Sequence, residues 1–167
     1  MPSPRLTYCS VTNFLHVGDE YLFLRRSDTK KVDAGRLNGI GGKVEPGEDF
    51  LKAALRETQE ETGYIILPHQ LKLACVGKID GGYEENWVMC FFTIEVEKKE
   101  IPDGFVSEEG TFLWIHKDNV LQSKYEIVDD LKICFPKIAK GGSIFFFQAT
   151  MNDQEKVAEY SLSEVQP

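Results

Sequence analysis

Residues 41–64, GGKVEPGEDFLKAALRETQEETGY, constrain this chain more than any other stretch. They predict a helix opening near Asp49 and closing before Gly63, and Pro46-Gly47 breaks the chain before it. At roughly 100° per residue, Glu57, Glu60 and Glu61 stand at i, i+3 and i+4 and share one face. Like charges at that spacing destabilise an isolated helix. The cost asks for a compensating partner, and a divalent cation is the natural one. Leu51, Ala54, Leu55 and Thr58 recur at helical spacing on a neighbouring face, the side expected to pack on a core.

The elements on either side of the helix set the fold class. Residues 6–15 and 21–26 are rich in β-branched and aromatic types and read as strands, with a turn at His16, Gly18 and Asp19. Residues 27–37 read as a polar loop, and 38–42 as a glycine-dense turn where backbone can approach a ligand. Strands follow at 71–79, 87–96 and 111–115, with a charged loop over 98–110. A second helix is expected over 129–140, with Leu131, Cys134, Phe135 and Ile138 on one side and Gly141-Gly142 as its stop. Pro136 inside it predicts a kink or a later start. Residues 143–150 and 156–162 read as a closing hairpin around Asn152-Asp153. The sum is a mixed α/β arrangement, and 167 residues suit a single domain spanning 1–167.

Charge and cysteine usage narrow the function classes. With 27 acidic against 19 basic residues, the net charge is −8. That argues against a chain that grips long nucleic acid unaided, while an anionic substrate bridged by metal ions remains compatible. Cys9, Cys75, Cys90 and Cys134 are scattered without a CxxC pair, so neither disulfides nor a zinc site is expected. The N-terminal MPSPRLTYCS lacks signal-peptide regions, and no apolar run approaches 18 residues. A soluble, cytoplasmic protein without a membrane partner is the expectation.

Gly42, Glu48, Arg56, Glu57, Glu60, Glu61 and Gly63 match the signature of the Nudix hydrolases, G-x5-E-x7-R-E-U-x-E-E-x-G-U. The two U positions, usually aliphatic, are Thr58 and Tyr64 here. Residues 35–44, the segment from Ser107-Glu108-Glu109 to Trp114, and the tail over 145–165 resemble MutT-like members that sanitise oxidised purine nucleotides. The resemblance implies a mixed sheet sandwiched between helices, with the signature forming a loop–helix–loop. It also implies Mg²⁺- or Mn²⁺-dependent hydrolysis of a nucleoside diphosphate linked to another moiety.

That implied chemistry assigns roles. Glu57, Glu60 and Glu61, with a carbonyl from Gly41-Gly42, offer hard oxygen donors for Mg²⁺, which is usually held by few carboxylates plus substrate phosphates. Arg56 has the forked donors to orient glutamates, with Glu48 and Glu45 supporting it. Glu109, by its distance to Trp114, resembles a family glutamate that adds a ligand or acts as base; Glu108 is its alternative. Arg26 is expected to point toward phosphates, and Arg25 to the opposite side.

Asn38, five residues before Lys43, is either a base-reading amide or a turn asparagine; both residues belong to the expected substrate-binding set. Asp129-Asp130 either read a purine edge as a pair sharing one proton or cap the second helix. Ile127 stands where the resembling members carry a stacking tryptophan. His16, His69 and His116 lie outside the signature. The implied reaction is water attack at the β-phosphorus of a nucleoside triphosphate such as 8-oxo-dGTP, giving monophosphate and pyrophosphate. Glu60 or Glu109 would take the proton. A Nudix hydrolase of 5′-triphosphorylated RNA ends or ADP-ribose is the alternative, and a non-catalytic nucleotide-binding module a third.

Overall fold

In the computed structural model, residues 4–165 are described; residues 1–3 of the N-terminal stretch and 166–167 lie outside them. The strand-forming stretches become β1 (Thr7–Val17), β2 (Glu20–Arg26), β3 (Leu37–Asn38), β4 (Ile40–Lys43), β5 (Leu71–Gly81), β6 (Asn86–Glu95), β7 (Gly110–His116), β8 (Phe145–Met151) and β9 (Val157–Glu164). Two α-helices interrupt them: α1 (Phe50–Thr62) and α2 (Asp129–Lys140). The strands form one sheet in the order β3-β2-β1-β6-β5-β8-β9, with β4 added to β1 and β7 to β2. β1–β6 and β5–β8 are parallel and the other pairs antiparallel, so the sheet is mixed as expected. Among the described residues, no helix is long and apolar enough to cross a membrane.

The helices take opposite faces of β1, because side chains alternate along a strand. Val11 packs with Ala53 and Ala54 of α1. Phe14, on the other face, meets Phe135 of α2 at a ring separation of 5.4 Å. Around Phe14 the larger core gathers Phe23, Phe91, Leu131, Phe145 and Phe147. A third apolar cluster joins Leu15, Leu22, Ile94, Phe112 and Trp114 beside Tyr64.

α1 begins and ends where the sequence marks it. Asp49 accepts from the Lys52 N–H at 2.8 Å, and Gly63 closes the helix in the left-handed region at φ 77°. The buried face matches the expected one in part: Ala54 and Thr58 are buried as expected, and Leu51 and Leu55 are not. Ala53, Ala54 and Thr58 are fully buried, whereas Leu51 is 39 % exposed and Leu55 only half-buried. Small residues let the helix lie close on β1 and β4, and that closeness turns the leucines outward.

A buried amide fixes the contact. Asn13 of β1 donates to the Ala54 carbonyl at 3.0 Å and to Thr58 Oγ1 at 2.9 Å. The Thr58 departure from an aliphatic residue is therefore matched by Asn13 across the interface. Asn13→Ala is expected to cost about 1–3 kcal/mol through the lost bonds and the cavity left behind, lowering the melting temperature by roughly 5 °C. A thermal melt followed by circular dichroism checks this.

One further expectation is corrected. Residues 38–42 are not an open turn: β4 pairs with β1, Gly41 opposite Thr12 and Gly42 opposite Val11. A Cβ on Gly41 would stand 1.9 Å from the Val11 carbonyl oxygen, so glycine permits the strand rather than breaking it. α2 spans Asp129–Lys140, the expected bounds, so Pro136 does not delay its start. Pro136 and Lys132 both lie on the exposed face, so the carbonyl that loses its partner can turn to water.

Candidate active site

The site is assembled where α1 crosses β4. Arg56 leaves the helix toward the preceding loop and gathers acids around its guanidinium. Nε donates to Glu48 Oε2 at 2.7 Å and Nη2 to Glu48 Oε1 at 2.8 Å, a bidentate fork. Nη1 donates to Glu57 Oε1 at 2.8 Å and to Glu60 Oε2 at 3.2 Å. Nη2 also reaches the Lys43 carbonyl at 3.1 Å, tying the helix to the end of β4. Glu45 stands at the rim, its carboxylate 3.8 Å from Arg56 Nε. Arg56 and the Glu45 N–H together hold the Glu48 carboxyl down at about 2. Glu48 is thus a fixed negative anchor for the arginine.

Across the helix the acids are set against backbone. A Cβ on Gly42 would stand 2.5 Å from Glu57 Oε1, so this glycine is the gap into which the carboxylate fits. Glu57 is half-buried, and burial pushes its pKa up despite Arg56. Glu61 lies deeper. Burial first, then the charges of Glu57 and Glu109, push it up to about 8, with Arg26 and the Gly41 N–H pulling partly back. Its Oε2 is buried without a hydrogen-bond partner among the described residues. Glu60 is different, with a side chain 60 % exposed and, among the described residues, held only by Arg56.

Glu109, just before β7, lies near enough to Glu61 for its charge to help raise that carboxyl. Glu109 is also paired with Lys30 of the 27–36 loop at 3.0 Å. Arg26 ends β2 beside these acids, its Nε buried and unpartnered among the described residues. Arg25 turns the other way, to Asp28 at 3.3 Å and over the Tyr125 ring. Among the described residues, no three acidic, histidine or cysteine side chains already converge in a cation cage. A site completed by backbone carbonyls and substrate phosphates does not require one.

The residues expected to read the nucleoside are less uniform. Lys43 points its ammonium onto the Tyr8 ring, 3.9 Å from the centroid, with Trp87 at 5.6 Å. Cation–π attraction thus occupies the charge expected for substrate. Asn38 Oδ1 accepts from the Gly39 N–H at 2.8 Å, as a turn asparagine does. Asp129 and Asp130 diverge rather than pair. Asp129 accepts from the Val157 N–H at 2.7 Å and from Lys132 at 2.9 Å. Although burial works to raise it, these donors hold its pKa below the usual range. Neither aspartate caps α2, whose N-cap is Val128 without a side-chain bond.

Asp130 is 5 % exposed, with no side-chain hydrogen bond to its carboxyl among the described residues. Burial, and then the charge of Asp33, push it up to about 7. Its electrostatic neighbour is therefore Asp33 of the 27–36 loop, which accepts from Tyr83 Oη at 3.1 Å. Arg36 secures that loop through Asp33 at 3.5 Å, Glu155 at 2.9 Å and Glu126 at 3.6 Å. Asp33, Tyr83 and Lys30 were not among the residues singled out from the sequence. A polar loop gives no periodicity from which their partners can be read.

Comparison with known proteins agrees with this geometry. The NUDIX domain family model matches residues 9–132. The chain is 34 % identical over 122 residues to the uncharacterised Nudix hydrolase YvcI of Bacillus subtilis, covering 71 % of this chain and 72 % of that protein. It superposes on the mutator MutT protein of Bacillus halodurans with a TM-score of 0.77 at 21 % identity, over 93 % of this chain and 97 % of that one. The NUDIX domain of Shewanella oneidensis NrtR, solved with ADP ribose, gives a TM-score of 0.59 at 16 % identity, over 83 % and 88 %. With its sheet flanked by two helices and its intact signature laid along α1 and β4, the chain belongs to the Nudix family, and its fold is the Nudix fold.

Proposed function

We propose that this chain hydrolyses a nucleoside triphosphate to the monophosphate and pyrophosphate, with an oxidised purine nucleotide such as 8-oxo-dGTP as the favoured substrate. The observation that carries the hydrolase reading is Glu61: a buried carboxylate with an orphaned oxygen, beside Glu57 and the Gly41-Gly42 backbone. Water-poor carboxylate oxygen at that density is stable with a cation and costly without one. The donor set Glu57, Glu60, Glu61, Glu109 and the Gly41-Gly42 carbonyls is hard oxygen and fits Mg²⁺ or Mn²⁺. The family generally uses such divalent ions. Bound there, the ion would neutralise phosphate charge and acidify a water.

The chain's own residues supply the rest. Arg56 fixes Glu57 and Glu60, with Glu48 as its anchor and Gly63 closing the helix that carries them. Glu60 is the solvent-facing acid of the set and Glu109 the acid of the loop before β7; one of the two accepts the proton of the attacking water. Arg26 offers an unpartnered Nε to the phosphates. Asn38, Lys43 and Asp129, after release of their present partners, and Asp130, after it opens from its buried position, would contact the nucleoside. The reading takes residues 1–167 as one domain acting on a small nucleotide in the cytoplasm.

The test is a steady-state comparison of 8-oxo-dGTP, dGTP, 5′-triphosphate RNA and ADP-ribose under one Mg²⁺ concentration. Pyrophosphate release with 8-oxo-dGTP ahead of dGTP is expected. A kcat/KM led by ADP-ribose or by RNA ends would move the substrate within the family. No cleavage of any of the four would overturn the hydrolase reading.

A further inference from the structure

Lys30 sits in the 27–36 loop with its side chain 30 % exposed, and its only acidic partner within ion-pair distance among the described residues is Glu109. The pairing is registered by backbone. The Ser27 N–H donates to the Glu109 carbonyl at 3.0 Å, and the Lys30 N–H to the Ser27 carbonyl at 3.1 Å. Glu109 in turn adds to the charge that Glu61 feels. The acids Glu57, Glu61 and Glu109 therefore have a cation at each end, Arg56 on the helix side and Lys30 on the loop side.

These two cations differ in kind. Arg56 is held by five hydrogen bonds to Glu48, Glu57, Glu60 and the Lys43 carbonyl, and stays put. Lys30 makes a single pair through a flexible four-carbon stem. A divalent ion on Glu109 would repel an ammonium left at the same oxygen, since like charges a few ångströms apart interact strongly near a protein surface. Lys30 must then leave Glu109 for another anion, and the substrate's polyphosphate would be the nearest. We propose that Lys30 is a phosphate-positioning residue that gives up Glu109 to the divalent ion and takes a phosphate oxygen in exchange. The exchange rests on the metal-dependent polyphosphate reading above. It makes metal entry and substrate capture a coupled event, because each releases a partner for the other.

The test uses Lys30→Met and Lys30→Arg in the full chain, with thermal melts confirming that both fold. Mn²⁺ affinity is measured without nucleotide by the loss of the free-ion paramagnetic resonance signal. Lys30→Met removes the competitor at Glu109, so it should bind Mn²⁺ several-fold more tightly than wild type. The same variant should raise KM for the nucleoside triphosphate roughly tenfold, and by more than kcat falls. Lys30→Arg should recover most of the KM. A surface ion pair with no role in phosphate binding would free Glu109 for Mn²⁺ when cut but leave KM unmoved, and that result would overturn the exchange. An active wild type whose Lys30→Met variant keeps both its Mn²⁺ affinity and its KM, or binds Mn²⁺ less tightly, overturns the exchange alone. A wild type that binds no Mn²⁺ and cleaves none of the four substrates overturns the underlying reading, and the exchange with it.

Discussion

Glu61→Gln should lose about 100-fold or more in turnover while the metal-free protein melts at the same temperature or higher. Two opposite demands on one carboxyl produce this split. With a divalent ion, Glu61 supplies charge at the deepest point of the ligand set. Without one, its charge is unwelcome: burial and the neighbouring Glu57 and Glu109 push it up to about 8. A raised carboxyl pKa means that the folded state holds the proton more tightly than the unfolded state. Stability is then lost as pH rises from the ordinary glutamate value through about 8.

Glutamine keeps the shape, cannot ionise, and escapes that loss. The melting advantage of Glu61→Gln in chelator should therefore widen between pH 6 and pH 9. Adding Mn²⁺ should raise the wild-type melting temperature and leave the variant nearly unmoved, since only a site that binds the ion is stabilised by it. Retained turnover, or a metal-free variant several degrees less stable at pH 8, would count against Glu61 as a ligand. Glu60 is a poorer choice for this experiment: at 60 % side-chain exposure its charge is already solvated, so little is relieved by removing it.

The contrast between Glu60 and Glu61 shows which parts of the site the sequence made legible. Spacing alone put Glu57, Glu60 and Glu61 on one helix face, and the flanking breakers bounded α1 correctly. What spacing cannot give is depth. Rotation of the helix about its axis depends on the partner surface, here Gly41-Gly42 of β4 and the Asn13 amide. That is why Ala53 joins Ala54 and Thr58 on the buried face while Leu51 looks out.

The long-range pairs were hidden for a related reason. The parallel pairing of β1 with β6 puts Tyr8 beside Trp87, and these rings capture Lys43; strand pairing across nearly 80 residues leaves no local signature. Asp129-Asp130 looked like a pair because the residues are adjacent. On a helix, adjacent side chains diverge by about 100°, so one meets Val157 and the other turns inward toward Asp33.

That inward turn supports the second large effect. Asp130→Asn should overtake wild type in stability as pH rises. Burial, then Asp33, push the Asp130 carboxyl up to about 7 against 3.8 for a free aspartate. Between those values the folded state carries a proton that the unfolded state has released, so raising the pH favours unfolding. Below pH 4 both states are protonated and wild type bears no penalty; above pH 7 it bears the whole of it, on the order of a few kcal/mol. Asparagine has no such slope. The melting difference, variant minus wild type, should climb by about 5–10 °C from pH 4 to pH 8.

Asp33→Asn provides the internal check. It removes the second-largest cause of the shift, so the climb should still begin near the free-aspartate value but end at lower pH and be smaller. Parallel melting curves for wild type and Asp130→Asn would sink the assignment, because a solvated carboxylate would show no pH-dependent gap and one held by hydrogen bonds a gap of opposite sign. The same proton has a functional consequence under the proposed reaction. A neutral Asp130 can donate to an acceptor on the base, and the ionised form cannot. KM for the nucleotide should therefore rise as pH passes about 7 in wild type and stay flat in Asp130→Asn. The metal-dependent limb of kcat, which belongs to the acids on α1, should be the same in both proteins.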